Sequence, residues 1–436
     1  MPTLPDLFRP ARPWTLWRLR ALLRSRGPTS IRFRRRVAVL TGAIAVGVVA
    51  VLFAKASDIA GEMFMRYARA WRWMPLVTSP LGFMALVWIT RRWFPLARGS
   101  GIPQVIAARE RVDLGVDGLI APRTVLAKAA LTLGALLCGA SVGREGPTVQ
   151  LAAAVMGLSH KVMRVSMRAG VVIAGGAAGV AAAFNTPLAG VMFAIEELAS
   201  AYEQKVTLLV LSLIVIAGMV AQSLAGDYLY FGAIGAHMPA ASAILVAPVA
   251  GLAGGAFGGL FARLMLGTAN GTYRITRLTR AHPLLFAGFC GLVVAVLGVA
   301  TGLTWGAGYP AARAMILGVD APWWFGPAKM IAALATAVAG LPGGIFAPSL
   351  AVGAGVGNLL RFLFPGDSAG AVVILGMVAY FAGVVRAPLT AVIILSETTA
   401  SRGLMLPMFA AAFIADWASQ QVCREKLYHG LSRTFS

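Results

Sequence analysis

The chain has 436 residues, of which 58% are hydrophobic and 12% are charged. Soluble domains carry about 25% charged residues, so this composition argues against a soluble enzyme, a disordered protein and a nucleic-acid-binding domain. The net charge of +22 does not indicate a nucleic-acid partner, because the basic residues stand at the ends of apolar segments. An all-α polytopic membrane protein with basic cytoplasmic loops is predicted.

The first 36 residues hold ten arginines and one acidic residue. A signal peptide would need a short apolar core followed by a cleavage site of small residues. The apolar run that begins at Val37 is as long as a membrane span and shows no such site. A retained cytoplasmic segment that orients the first span and contacts membrane lipid is therefore favoured over a targeting peptide.

Apolar segments then follow one another along the chain. Candidate spans cover residues 37–56, 73–90, 124–142, 169–195, 206–225, 243–262, 283–303, 328–340, 370–395 and 403–422. Other apolar segments, such as 149–158 and 349–363, are too short to cross a membrane. Short apolar segments interrupted by glycine and proline are typical of broken helices. The lack of an alternating pattern argues against a β-barrel.

The chain contains an internal repeat with a shift of 201 residues. The matching pairs are Lys128 and Lys329, Pro147 and Pro348, Pro187 and Pro388, and Glu196 and Glu397. Two membrane repeats are predicted, residues 37–235 and 236–422, with cytoplasmic segments at 1–36 and 423–436. Repeats in transporters commonly place the binding site at their interface, but the pattern leaves parallel and inverted topologies open.

Three clusters of glycine and proline interrupt the apolar segments, at residues 99–103, 143–147 and 343–348. Each is typical of a helix start, where glycine permits a sharp turn and proline fits the first turn. A helix N-terminus presents unpaired N–H groups and a partial positive charge. Converging starts of this kind favour an anion site over a set of simple loops.

Glu145 lies inside the second cluster, and an acid in a membrane core is a functional candidate by default. Its carboxylate could occupy the place of an anion and leave when it is protonated, which would make it both gate and proton carrier. A structural Arg144–Glu145 pair and a simple helix cap are the alternatives. The repeat matches Glu145 with Phe346, so the shared scaffold does not require the acid.

Two further acids are adjacent but have different repeat partners. Glu196 matches Glu397, which favours an architectural role, whereas Glu197 matches Thr398 and is the candidate for a second proton station. A solvated helix end is the alternative for Glu197. Tyr428 follows the last span among basic residues, a position typical of an interfacial anchor.

Other chemistry finds no support in the pattern. The four histidines lack metal-ligand spacing, and no G-x-S-x-G motif is present. Neither an enzyme nor a metal or other cofactor is therefore predicted. The three cysteines have no C-x-x-C spacing and indicate core positions rather than disulfides.

The three clusters resemble, in residues and in order, the signature motifs of the CLC family of chloride channels and transporters. The resemblance implies a homodimer with one pore per subunit, each built from two inverted-topology repeats of tilted and broken helices. It also implies that the Ser100 hydroxyl, next to Gly101, binds the central anion together with the backbone amides of Ile345 and Phe346 and the hydroxyl of Tyr428.

The same resemblance makes Glu145 the external gate and proton acceptor and Glu197 the internal proton-transfer residue. Because family channels typically lack the internal acid, it favours chloride/proton antiport over a passive voltage- or pH-gated channel. Serine at position 100 is similar to chloride-selective members, and fluoride is disfavoured. Gln104 departs from the acids that many members have nearby, which leaves proton access in doubt. No CBS pair is expected, and a bacterial inner membrane is the expected location.

Overall fold

The computed structural model describes residues 28–198, 204–226, 230–232, 238–273, 276 and 281–435. Within these ranges the chain is all-helical apart from its turns, and the one β-bridge joins Gly143 to Gly344. Most of the predicted basic segment, residues 1–27, lies outside the described residues. So do residues 233–237, where the two halves are predicted to meet.

The described part of the first half forms nine helices. They are α1 Pro28–Ala70, α2 Pro75–Trp93, α3 Ile102–Glu110, α4 Val112–Asp117, α5 Pro122–Leu137, α6 Glu145–Val162, α7 Ala169–Phe184, α8 Pro187–Phe193 and α9 Gln204–Ala225. A 3₁₀ turn, Pro95–Ala97, precedes α3, and a π-helical turn, Ala194–Leu198, continues α8.

The second half repeats this order with nine more described helices. They are α10 Ala240–Asn270, α11 Pro283–Thr301, α12 Tyr309–Ile316, α13 Phe325–Val338, α14 Phe346–Leu360, α15 Ala369–Val385, α16 Pro388–Thr399, α17 Met405–Val422 and α18 Leu427–Ser432. A 3₁₀ turn, Arg402–Leu404, lies between α16 and α17.

Long and short apolar helices are mixed, as the sequence predicts. By length and composition α1, α10 and α11 could each cross a membrane, and six shorter apolar helices of 10–17 residues accompany them in the described part of the chain. With 43 residues, α1 is about 65 Å long, roughly twice the thickness of a hydrocarbon core. Residues 28–36 of the predicted N-terminal segment belong to this helix.

Two predicted spans are wrong as single helices, because 169–195 and 370–395 are each broken. Asn185 (φ 58°) ends α7 and Arg386 (φ 61°) ends α15, both in the left-handed conformation. A proline then begins the next helix, Pro187 in α8 and Pro388 in α16. A left-handed residue ends a helix and proline is suited to the first turn, so the chain restarts in a new direction.

Reciprocal contacts relate the two halves. The Glu196 carboxylate accepts hydrogen bonds from the backbone of Leu389 (2.9 Å) and Thr390 (2.6 Å) at the start of α16. The Glu397 carboxylate accepts the matching bonds from Leu188 (3.2 Å) and Ala189 (2.9 Å) at the start of α8. Such exchanged contacts are what a two-fold relation produces, so the architectural role predicted for Glu196 is confirmed.

The Gly143–Gly344 bridge lies on the same two-fold relation, since these glycines are also 201 residues apart. Each N–H donates to the other carbonyl at 2.8 Å in antiparallel fashion. The chain therefore runs in opposite directions through the two strands of the bridge and into α6 and α14. This pairing agrees with inverted-topology repeats, one of the two arrangements that the sequence pattern left open.

The core is closed by helices that approach at small residues. In α10, a Cβ on Gly254 would lie 2.6 Å from the Tyr380 nitrogen of α15, and one on Gly258 would lie 2.7 Å from the Gly383 carbonyl carbon. Close backbone approach at small residues is the common way in which membrane helices associate. Here it brings α10 against α15, which leads into α16.

Candidate anion site and adjacent carboxylates

The three glycine–proline clusters meet at one place. The Gly343 N–H donates to the Gly99 carbonyl at 3.2 Å, and the Gly143–Gly344 bridge joins the other two clusters. Helices α3, α6 and α14 therefore all begin around the same point. Because first-turn N–H groups have no intrahelical acceptor, this point collects unpaired donors and the positive ends of the helix dipoles.

Glycine is required where these loops touch. Gly101 has φ 111°, a conformation that other residues rarely adopt, and a Cβ there would lie 2.5 Å from the Gly146 carbonyl oxygen. A Cβ on Gly146 would in turn lie 2.4 Å from the Ser100 hydroxyl oxygen. These contacts bring Ser100 against the first turn of α6.

Buried side chains fix the loop that carries Ser100. The Lys128 ammonium donates to the Gly99 carbonyl at 2.6 Å, and its repeat partner Lys329 donates to the Gly306 carbonyl, also at 2.6 Å. The Gln104 amide accepts from the Gly101 N–H at 3.1 Å and donates to the Arg98 carbonyl at 2.6 Å. The glutamine that departs from the family pattern is thus part of the loop's support.

Two hydroxyls are buried near the meeting point. Ser100 is 6% exposed and Tyr428, on α18, is fully buried. Neither hydroxyl makes a hydrogen bond of normal geometry within the described part of the protein. The interfacial-anchor alternative for Tyr428 is wrong, because such an anchor would reach the surface. Two buried hydroxyl groups without a hydrogen-bond partner are typical of a site that binds an anion.

Phe346 supports this arrangement from the second half. Its ring centroid lies 4.9 Å from that of Phe381, 5.7 Å from Phe193 and 5.8 Å from Tyr428. These aromatic contacts pack the first turn of α14 against Tyr428. Ile345 also lines the same cavity as Ser100, so the start of α14 and the Ser100 loop are neighbours.

A cavity of about 580 Å³ reaches the site from one side. Its lining includes Ser100 and Ile345 at the inner end and Arg91 and Arg98 farther out. Phe435 also lines it, with the Arg98 guanidinium 4.9 Å from the ring centroid. The positive charge along this route would attract anions toward the two hydroxyls.

Glu145 is the first residue of α6 and is fully buried. Its Oε1 accepts a hydrogen bond from the hydroxyl of Tyr309, the first residue of α12. Its Oε2 lies over Gly143, where a Cβ would be 2.2 Å from that oxygen and 3.0 Å from the Ala347 Cβ. The carboxylate therefore occupies the space between the starts of α6, α12 and α14.

Arg144 turns away from its neighbour, so a specific Arg144–Glu145 pair is not present. Its guanidinium contacts Asp58 at 2.6 Å, the Ala54 carbonyl at 2.6 Å and the Tyr230 hydroxyl at 2.6 Å. These contacts tie the start of α6 to α1. The Glu145 carboxylate is left to Tyr309, whose ring centroid lies 4.3 Å from that of Tyr230.

Glu197 is fully buried, so the solvated-helix-end alternative is wrong. It lies in the π-helical turn after α8, and π-helical turns frequently occur at functional sites. The equivalent residues of the second half continue as α-helix to Thr399. The wider turn separates the neighbouring acids, with Glu196 at the start of α16 and Glu197 facing His429 at 3.2 Å.

Sequence reasoning missed two residues of this region. Tyr309 stands in the motif Gly306-Ala307-Gly308-Tyr309-Pro310, whose likeness to the Ser100 motif was a usable signal. His429 follows Tyr428 directly, but its contact with Glu197 joins residues that are 232 positions apart. Because the repeat contains no equivalent of His429, it could not predict this contact.

The family model described as voltage gated chloride channel matches residues 81–420 of the chain. This chain belongs to the CLC family. A ClcB-like chloride channel protein from Ralstonia nicotianae is 30% identical over 371 residues, 79% of this chain and 82% of that protein. A protein named H(+)/Cl(−) exchange transporter ClcA, from Klebsiella pneumoniae subsp. pneumoniae, is 29% identical over 94% of this CLC protein and 89% of its own length.

Solved structures share the fold of this CLC protein. A slow cyanobacterial Cl⁻/H⁺ antiporter matches with a TM-score of 0.80 and 22% identity over 92% of this chain and 98% of its own. A CLC-type fluoride/proton antiporter matches with a TM-score of 0.76 and 21% identity over 96% of this chain and 99% of its own. The predicted CLC fold, with inverted repeats of broken helices, is therefore confirmed.

Proposed function

We propose that this CLC protein is a secondary active transporter that exchanges chloride for protons. The observation that carries the proposal is a pair of fully buried carboxylates, Glu145 in the first turn of α6 and Glu197 beside His429 of the last helix. An acid buried in a membrane protein is costly and marks a proton or ion pathway. The relatives named as H(+)/Cl(−) exchange transporters support the same reaction.

Chloride binds where the three helices begin. The Ser100 hydroxyl of the first half and the Tyr428 hydroxyl of α18 donate hydrogen bonds to the chloride. The backbone amides of Ile345 and Phe346 donate to it from the second half. Gly101 permits the close approach of the Ser100 loop to α6. These donors carry partial rather than full charges. The site is therefore strong enough to admit an anion and weak enough to release it, as transport requires.

Glu145 couples the two ions because its carboxylate and chloride compete for the same helix starts. The ionised carboxylate occupies the start of α6 and excludes the anion. Once protonated, it loses its attraction to the positive helix ends and moves out, carrying the proton and admitting chloride. Glu197 exchanges protons on the opposite side of Tyr428, so the two ions share the centre of the protein but leave it by different routes.

The arginine-rich face is assigned to the cytoplasm. Helix α1 begins on this face next to Arg34, and α2 returns to it with Arg91 in its last turn. The Arg98 guanidinium donates to the Thr434 carbonyl at 3.0 Å, so the end of the chain is on the same side. Under the positive-inside rule this face is cytoplasmic, which makes Glu197 the inner acid and Glu145 the outer one. The proposal extends to a homodimer in the bacterial inner membrane.

A passive chloride channel on the same fold is the alternative, and the channel names of the family model and of the Ralstonia relative favour it. The deciding experiment uses protein in sealed liposomes with no other ion pathway. A chloride gradient is imposed, and chloride efflux and external pH are recorded together. Proton movement against its own gradient, abolished by an uncoupler, is the expected result. Chloride efflux without proton movement would establish the channel.

Tyr309→Phe tests whether the Tyr309 hydroxyl keeps the Glu145 carboxylate at the start of α6. The variant removes the hydroxyl that donates to Glu145, and a hydrogen bond to a charged group contributes about 1.5–3 kcal/mol. Because the carboxylate competes with the anion, chloride should bind roughly tenfold more tightly. Calorimetric titration of purified protein with chloride measures this. Tyr67→Phe, which removes a hydroxyl bonded to Thr78, is the control and should bind like wild type. Unchanged or weaker binding in Tyr309→Phe would show that Tyr309 does not hold the gate.

A further inference from the structure

In the described part of the chain, the inner acid contacts two ionisable side chains that reach the solvent. Glu197 is fully buried, and its Oε1 lies 3.2 Å from Nδ1 of His429, while its Oε2 lies 3.9 Å from the Lys426 ammonium. The His429 side chain is 35% exposed, its Nδ1 is buried, and neither Nδ1 nor the Glu197 oxygens make a hydrogen bond of normal geometry within the described residues. The ring therefore spans from the buried carboxylate to the surface.

The chemistry of the two neighbours differs. The Lys426 side chain has a single nitrogen, so it has no second atom from which to pass a proton on. An imidazole has two nitrogens, so His429 can receive a proton on one and release it from the other. Of these two side chains, only His429 has the chemistry of a relay.

Other charged groups around His429 are already paired. Arg433 and Glu425 contact each other at 2.7 Å, and Arg109 of α3 donates to the Leu198 carbonyl beside Glu197. Lys426 also contacts the Glu196 carbonyl, at the long distance of 3.4 Å. The Arg109 contact holds α3 against the π-helical turn that carries Glu197.

We infer that His429 carries protons between the cytoplasmic solution and Glu197, an inference that rests on the proposed antiport. Water delivers a proton to Nε2, the imidazolium Nδ1–H bond breaks, and an O–H bond forms on Oε1 of Glu197. Rotation of the ring about its Cβ–Cγ bond brings Nδ1 to water, which donates a proton to Nδ1 and accepts the Nε2 proton, and this exchange restores the starting tautomer. Protons moving toward the cytoplasm follow the same steps in reverse. The surface histidine thus supplies the proton access that the glutamine at position 104 left in question.

His429→Gln in the full-length protein tests the relay in liposomes. Water still reaches the surface, so we expect proton transport to slow by about tenfold, less than the 10²–10⁴ typical of losing a proton-transfer group altogether. Lys426→Gln, which removes the other contact to Glu197 at similar exposure, is the matched control and should transport protons at the wild-type rate.

A double variant distinguishes an effect on proton delivery from an effect on the chloride pathway. In Glu145→Gln protein, where chloride is expected to move without protons, adding His429→Gln should leave chloride flux unchanged. Wild-type protein that carries no protons would refute the proposed antiport. If wild type carries protons and His429→Gln carries them at the same rate, the relay alone is wrong. Equal slowing by Lys426→Gln, or loss of chloride flux in the double variant, would also overturn it.

Discussion

Glu145→Gln should leave chloride moving through the protein while proton transport falls by at least about a hundredfold, the scale on which a proton-transferring side chain acts. Glutamine has nearly the shape of the protonated acid, so it should take the position that the protonated acid reaches after leaving the start of α6. It carries no exchangeable carboxyl proton and no charge that would draw it back to the start of α6. The gate would therefore stay in the state that admits anions.

The measurement is the simultaneous record of chloride and proton flux in one liposome preparation. Glu62→Gln, on the exposed surface of α1 where Glu62 pairs with Arg66 at 3.5 Å, should transport both ions like wild type. Proton transport that persists in Glu145→Gln would move the proton route to another residue. Loss of chloride flux in folded protein would instead indicate that the carboxylate supports the pore and does not block it.

The internal repeat explains why many contacts of this site can be predicted from the sequence. A shift of 201 residues pairs Glu196 with Glu397 and Gly143 with Gly344, and each pair makes reciprocal contacts in the structure. A two-fold relation requires that a contact between positions i and j′ be matched by one between j and i′. Sequence register therefore predicts spatial neighbours within the repeat. It also identifies the acids that break the symmetry, Glu145 and Glu197, as candidates for chemistry.

What the sequence does not reveal lies outside that symmetry. The breaks at Asn185 and Arg386 depend on a single left-handed residue, which leaves the apolar composition of the segment unchanged. The contact between His429 and Glu197 depends on where the last short helix docks. No periodic pattern encodes such a contact, because it is made once between distant parts of the chain.

Gly146→Ala should weaken chloride binding by at least about tenfold while the protein remains folded. The new methyl group would lie 2.4 Å from the Ser100 hydroxyl oxygen and 2.6 Å from the Ser100 carbonyl oxygen. The loop must move, and overpacking of this kind lowers the free energy of unfolding by about 1–3 kcal/mol. Replacing a helical glycine by alanine raises the free energy of unfolding by about 1 kcal/mol. Thermal unfolding should therefore change little, whereas Ser100 moves away from the helix starts.

Gly61→Ala provides the comparison, since a Cβ at Gly61 on α1 meets no atom within 4 Å and the substitution tests helix propensity alone. Chloride titration by calorimetry and thermal unfolding would be measured on both variants. Wild-type affinity in Gly146→Ala would mean that the loop absorbs the methyl group without moving Ser100 away from the anion. A large drop in unfolding temperature in Gly146→Ala would mean that the contact between Gly146 and Ser100 stabilises the junction of the two halves. Strain from the methyl group would then have spread through the Gly143–Gly344 bridge. Weaker binding at an unchanged unfolding temperature is the result expected if Gly146 is needed for the shape of the anion site.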